Sequence, residues 1–138
     1  MLFPLLFGCS DSSFKTFNDA PTAIIISHEE EELVREGEPQ LFEATISDSN
    51  NSTTSLLARW LINNEEICTW LPADELGVSS CLHTFNQSNI ILENNDDTGI
   101  IEDLFQRVEI QVQDPQNATG IYDLNIGVFP NAPPQAII

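Results

Sequence analysis

Leu56-Leu57-Ala58-Arg59-Trp60-Leu61-Ile62 is followed by Asn63-Asn64 and then by Glu65-Glu66-Ile67-Cys68-Thr69-Trp70. In the first segment Ala58, Trp60 and Ile62 fall on one side of an extended chain and Leu57, Arg59 and Leu61 on the other, the period of two that a strand imposes. Asn tolerates positive φ, so Asn63-Asn64 suits a tight turn that sends the chain straight back. The stretch predicts a β-hairpin with Trp60 on the outgoing strand and Cys68 on the returning strand.

Working outward, the same period recurs. In 40–47, Phe42, Ala44 and Ile46 share one face. In 104–113, Val108, Ile110 and Val112 point in and Arg107, Glu109 and Gln111 point out. In 121–129, Tyr122, Leu124, Ile126 and Val128 share a face. Residues 22–27, 78–85 (with Cys81) and 90–92 read as further strands. The stretches 48–54, 72–77, 94–99 and 114–120 are loops by composition. Residues 28–32, His28 followed by four glutamates, read as a charged excursion, with Leu33 and Val34 leading into a turn at Gly37. No segment sustains a helical period. The expected fold is all-β, an antiparallel β-sandwich of about seven strands.

The 138 residues suit one domain with short tails. With 22 acidic residues against 4 Lys and Arg, the net charge is −18. A nucleic-acid partner is excluded, because a phosphate backbone would be repelled and few cations are available to displace its counterions. A solvated acidic surface, or binding of a divalent cation, is what this balance implies.

The N-terminus, Met1-Leu2-Phe3-Pro4-Leu5-Leu6-Phe7-Gly8-Cys9-Ser10, is a short apolar run ending in Gly and Cys. It resembles the end of a bacterial lipoprotein signal peptide, with Leu6, Gly8 and Cys9 at the lipobox positions; the basic n-region is missing, so 1–8 reads as a shortened signal. That resemblance implies lipidation of Cys9, a membrane partner through its acyl chains, and an outer-membrane location in the bacterial cell envelope. The chain has three cysteines, and acylating Cys9 leaves Cys68 and Cys81 to pair outside the cytoplasm.

Residues 9–20 then form a tether and 21–130 the sandwich. The stretch Asn18-Asp19-Ala20-Pro21-Thr22-Ala23-Ile24-Ile25 is echoed by Asn131-Ala132-Pro133-Pro134-Gln135-Ala136-Ile137-Ile138, so 131–138 reads as a linker and the start of a further module.

Taken in order, Ala20-Pro21-Thr22, Glu36-Gly37-Glu38 before Phe42-Glu43-Ala44-Thr45, Ser47-Asp48, Trp60, Asn64 to Cys68, and Val112-Gln113-Asp114-Pro115 resemble bacterial extracellular Ig-like and PKD-like modules at the front of surface lipoproteins. The resemblance covers about residues 20–130 and gives Trp60 the place of the strand-C tryptophan of immunoglobulin sandwiches. It implies a spacer, adhesion or assembly module, with other surface proteins or glycans as partners.

No catalytic group is expected. The two histidines, His28 and His83, have no nucleophile placed for them in sequence; His28 reads as a solvated loop residue and His83 as a surface or half-buried strand residue. No cofactor is implied except calcium, for which Asp19, Glu36, Asp48 and Asp114, with Asn18 and Asn117, are the candidates if the strand ends converge at one pole. Trp70 is the one candidate for a glycan-stacking aromatic.

Overall fold

The computed structural model describes residues 17–86 and 105–130. The lipidation site Cys9, the strand expected at 90–92 and the echoed linker at 131–138 lie outside them. The described part contains eight strands: β1 (Thr22–Ile25), β2 (Glu32–Arg35), β3 (Pro39–Ser47), β4 (Leu57–Ile62), β5 (Glu65–Pro72), β6 (Val78–Thr84), β7 (Phe105–Gln113) and β8 (Thr119–Phe129). They form two sheets, a three-stranded one in the order β1-β3-β6 and a five-stranded one in the order β2-β8-β7-β4-β5.

The core lies between the sheets and is built from the alternating positions read in the sequence. Phe42, Ala44 and Ile46 of β3 face Ala58 and Trp60 of β4, Val108, Ile110 and Val112 of β7, and Ile126 and Val128 of β8, all essentially buried. The Trp60 ring packs 6.1 Å from that of Phe42, and its indole N–H donates to Ser79 Oγ at 2.9 Å, so its one polar atom is satisfied. The β4–β5 hairpin turns through Asn63 and Asn64 with φ of 50° and 70°. Cys68 and Cys81 are bonded and join β5 of one sheet to β6 of the other.

Four expectations need correction. Glu32–Arg35 is a strand and not only a charged lead-in, one of the eight described strands. The sandwich is also not wholly antiparallel, since β2 pairs parallel with the last residues of β8. Only Val34 of β2 is buried, so the segment has almost no apolar period to announce it; the free edge of β8 makes it a strand. His28 is not solvated. The chain crosses between the sheets at 26–31, and the His28 ring turns inward to lie 4.3 Å from the ring of Phe42. Ser27 Oγ (2.7 Å) and Gln40 Oε1 (3.1 Å) satisfy its two nitrogens. Finally, Glu109 and Leu61, expected outside, are buried on the outer face of the five-stranded sheet, where long neighbouring side chains cover them.

The linker joins the sandwich through a close backbone approach. A Cβ on Gly120 would lie 1.8 Å from the Pro21 carbonyl oxygen, so only glycine lets the start of β1 sit against the start of β8. Gly120→Ala is expected to destabilise the domain by about 1–3 kcal/mol, read from chemical denaturation. An unchanged midpoint would mean that Pro21 is not held there.

Candidate functional site

The β7–β8 hairpin loop gathers most of the expected polar candidates. Asp114 closes it: Oδ1 accepts the N–H groups of Gln116 and Ala118, each at 2.9 Å, while Oδ2 accepts the Asn18 side-chain amide at 2.8 Å. Asn117 sits at φ 72° in the same turn. Asp19 is held next door, its N–H donating to Asn50 Oδ1 at 2.7 Å and its Oδ2 accepting the Ser49 hydroxyl at 2.8 Å. Asp48 Oδ1 accepts the Asn50 N–H at 2.8 Å. Asp19 and Asp48 line a shared cleft of about 440 Å³.

In Asp48, Oδ1 is the atom engaged with the loop backbone. Its Oδ2 is buried and no donor among the described residues reaches it. Burial opposes ionisation of Asp114, but the donors from Asn18, Ala118 and Gln116, together with Asp48, outweigh it and hold its pKa below the usual aspartate value. The sign follows. A carboxylate with a depressed pKa in the fold contributes stability above its unfolded value, and that contribution is lost as pH falls through the folded value. Asp114→Asn is expected to lower the melting temperature at pH 7 and to narrow its gap to the native chain as pH falls below 4. A gap that stays constant with pH would contradict this role.

Glu36 does not join this group. It follows β2, and its N–H donates to the carbonyl of Phe129 at 2.9 Å. Asp114 lies before β8 and Phe129 ends it, so the length of β8, about 30–35 Å, separates the two. The parallel β2–β8 pairing, which the sequence did not reveal, puts Glu36 at the far pole. Among the described residues no group of three or more His, Cys, Asp or Glu side chains is placed to hold a metal ion.

The outer face of the five-stranded sheet carries a polar row. Arg59 bonds Gln111 at 2.8 Å and Glu66 at 3.1 Å, and Arg107 bonds Glu109 at 2.9 Å and Asp123 at 2.6 Å. The Asp123 hydrogen bond raises the Arg107 pKa further, with the charges of Glu109 and Asp123 adding to it against desolvation. Trp70 lies on this face half-buried, with the Arg59 guanidinium 4.9 Å from its ring centroid. That cation stacks on one face of the ring. His83 packs edge-on against Phe85, and burial lowers its pKa. Ser27 Oγ, bonded to His28, also accepts the Glu43 N–H at 2.9 Å, and Cys68 and Cys81 are bonded to each other.

The two-sheet sandwich matches solved structures. The fibronectin(III)-like modules of CbhA from Clostridium thermocellum superpose with a TM-score of 0.57 at 14% identity, over 84% of this chain and 50% of that one. The fold is a fibronectin(III)-like β-sandwich. A Corynebacterium diphtheriae protein described as membrane-anchored matches with a TM-score of 0.50 at 11% identity, over 80% of this chain and 21% of that one. The fibronectin(III)-like likeness thus spans half the length of the CbhA chain and about a fifth of the corynebacterial protein. A superoxide reductase of Ignicoccus hospitalis matches at a TM-score of 0.45. No family model and no curated protein matches the chain. Among the described residues no helix is long and apolar enough to cross a membrane.

Proposed function

We propose that the fibronectin(III)-like domain is a non-catalytic spacer or adhesion module of a bacterial surface protein, anchored in the outer membrane through acylated Cys9. One observation carries this reading: the chain enters at one pole and leaves at the other. The incoming linker is held at the Asp114 pole by the Asn18 amide, while β8 delivers Phe129 at the opposite end. Each such module adds its own length to an extended polypeptide, and Asn50, Ser49 and Asp114 at the entry pole are engaged in holding the linker residues Asn18 and Asp19. The test of the anchor is intact mass after expression in a bacterial host with a basic n-region restored ahead of Met1. A diacylated or triacylated species beginning at Cys9 is expected; a mature species with an unmodified Cys9 thiol would overturn it.

A second reading rests on the buried Asp48 Oδ2, which no donor among the described residues reaches. A buried carboxylate oxygen without a donor favours a proton or a cation beside it. A calcium ion there would draw on Asp48 and on Asp19, which lines the same cleft, and would bind weakly because the remaining ligands are neutral oxygens or water. Calcium is then expected to raise the melting temperature of the native chain and not that of Asp48→Asn. No shift with millimolar calcium would remove this reading.

A further inference from the structure

Residues 131–138 repeat residues 18–25 at five aligned positions: Asn18 and Asn131, Pro21 and Pro134, Ala23 and Ala136, Ile24 and Ile137, Ile25 and Ile138. In the fold the first members of these pairs have definite tasks. The Asn18 amide donates to Asp114 Oδ2 at 2.8 Å. Pro21 is buried, with its carbonyl against Gly120. Ala23 and Ile25, 7% and 4% exposed, belong to the core. Ile24 is exposed and is kept as well, as suits a β-branched strand position. The three positions that differ, Asp19 against Ala132, Ala20 against Pro133 and Thr22 against Gln135, are all exposed.

A chance likeness between two Pro-containing stretches has no reason to keep every buried position and vary only exposed ones. A strand that must face a core has one, because burial fixes its alternate side chains and leaves the others free. The spacing is a second, independent reason. The two stretches lie 113 residues apart (131 minus 18), which is one linker plus one sandwich, and the second starts two positions past the end of β8 at Phe129. A repeat of this architecture would have to begin there.

We infer that residues 131–138 are the linker and first strand of a second sandwich of the same kind, so that the partner of this domain's exit pole is the entry pole of a following module. The inference rests on the module reading of this domain but needs neither acylated Cys9 nor calcium. Asn131 is matched to a carboxylate in the following module's last hairpin loop, as Asn18 is to Asp114. Pro134 is matched to a glycine opposite its carbonyl, as Pro21 is to Gly120. Only residues 130–133 lie between the end of β8 and the counterpart of Pro21. Four residues, Pro130 and Pro133 among them, span roughly 12 Å, so the exit pole and the following entry pole meet across a short, stiff junction.

Two measurements test this. In the full 138-residue chain, Asp19→Ala, Ala20→Pro and Thr22→Gln together turn residues 18–25 into the sequence of 131–138. The triple variant is expected to keep the fold, with a melting temperature within about 5 °C of the native chain, because the changes fall on exposed positions. Ile25→Ala, at a kept and buried position, should lower it by about 8 °C or more. A triple variant that fails to fold, or falls as far as Ile25→Ala, would overturn the inference. The second measurement is peptide mapping by mass spectrometry of the polypeptide from the cells that make it. The polypeptide should continue past Ile138 by about one more period of 113 residues, with Asp or Glu following Asn131 at about the 96 positions that separate Asn18 from Asp114. Gly should follow Pro134 at about the 99 positions (120 minus 21) that separate Pro21 from Gly120. A polypeptide that ends at Ile138, or continues without that pair, would overturn the inference as well. An unmodified Cys9 thiol would remove the lipid anchor and leave both results standing, so the two readings fail separately.

Discussion

Replacing Trp60 with alanine is expected to cost about 3–5 kcal/mol of folding stability, the largest loss of any single substitution proposed for this chain. The indole is 1% exposed and meets Phe42 from the opposite sheet. Removing it leaves a cavity between the sheets that cannot close without moving β3 toward β4. It also strands the Ser79 hydroxyl, which accepts the indole N–H and is buried. A domain of this size has roughly 5–15 kcal/mol in total, so the variant loses between about a fifth and all of its stability. Denaturant titration should show a lower midpoint with an unchanged slope. A loss below about 1.5 kcal/mol, within the range of ordinary surface changes and mild core swaps, would mean that Trp60 is not at the centre of the packing.

The second large effect belongs to the disulfide. Cys68 and Cys81 are 13 positions apart, and the chain-entropy model assigns a loop of that size roughly 3 kcal/mol. The geometry adds a local role. β5 is an edge strand of the five-stranded sheet and β6 an edge strand of the three-stranded sheet, so the bond closes the side of the sandwich where no strand passes between them. The double variant Cys68→Ala, Cys81→Ala is expected to unfold at a markedly lower guanidinium concentration than the oxidised chain, and its β5 amides should exchange hydrogen faster than those of β7. Equal midpoints would show that the cross-link neither restrains the unfolded chain nor holds that edge.

The resemblance to Ig-like modules gave Trp60 the place of the strand-C tryptophan, and the structure buries it between the sheets. What differs is the staple. In antibody domains the disulfide bridges two central strands beside that tryptophan. Here the bond also lies beside it, since Cys68 is the register partner of Trp60 and Cys81 that of Phe42, but it joins two edge strands. An edge strand such as β5, with half-buried or exposed side chains along its whole length, has little packing to hold it.

The candidate site was legible only in part. Asp114 and Asn117 stood out because Asp-Pro and Asn-Ala-Thr-Gly mark a hairpin loop, and Asn18 and Asp19 because a linker preceded the first strand. That these residues meet depends on β1 lying along β8, a contact between residues about 95 positions apart. Glu36 failed for the same kind of reason: its position is set by which strand β2 joins.

The sequence by itself determined the strands whose apolar residues alternate over six or more positions, the Asn63-Asn64 turn and the identity of the core, because a period of two under burial leaves one way for a strand to face. The tertiary structure alone decided the rest. It made Glu32–Arg35 a strand, turned His28 inward against Phe42, buried Glu109 under its neighbours, and separated Glu36 from Asp114 by the length of the domain. Each of these follows from contact with a chain segment far away in sequence, and local composition carries no record of that contact.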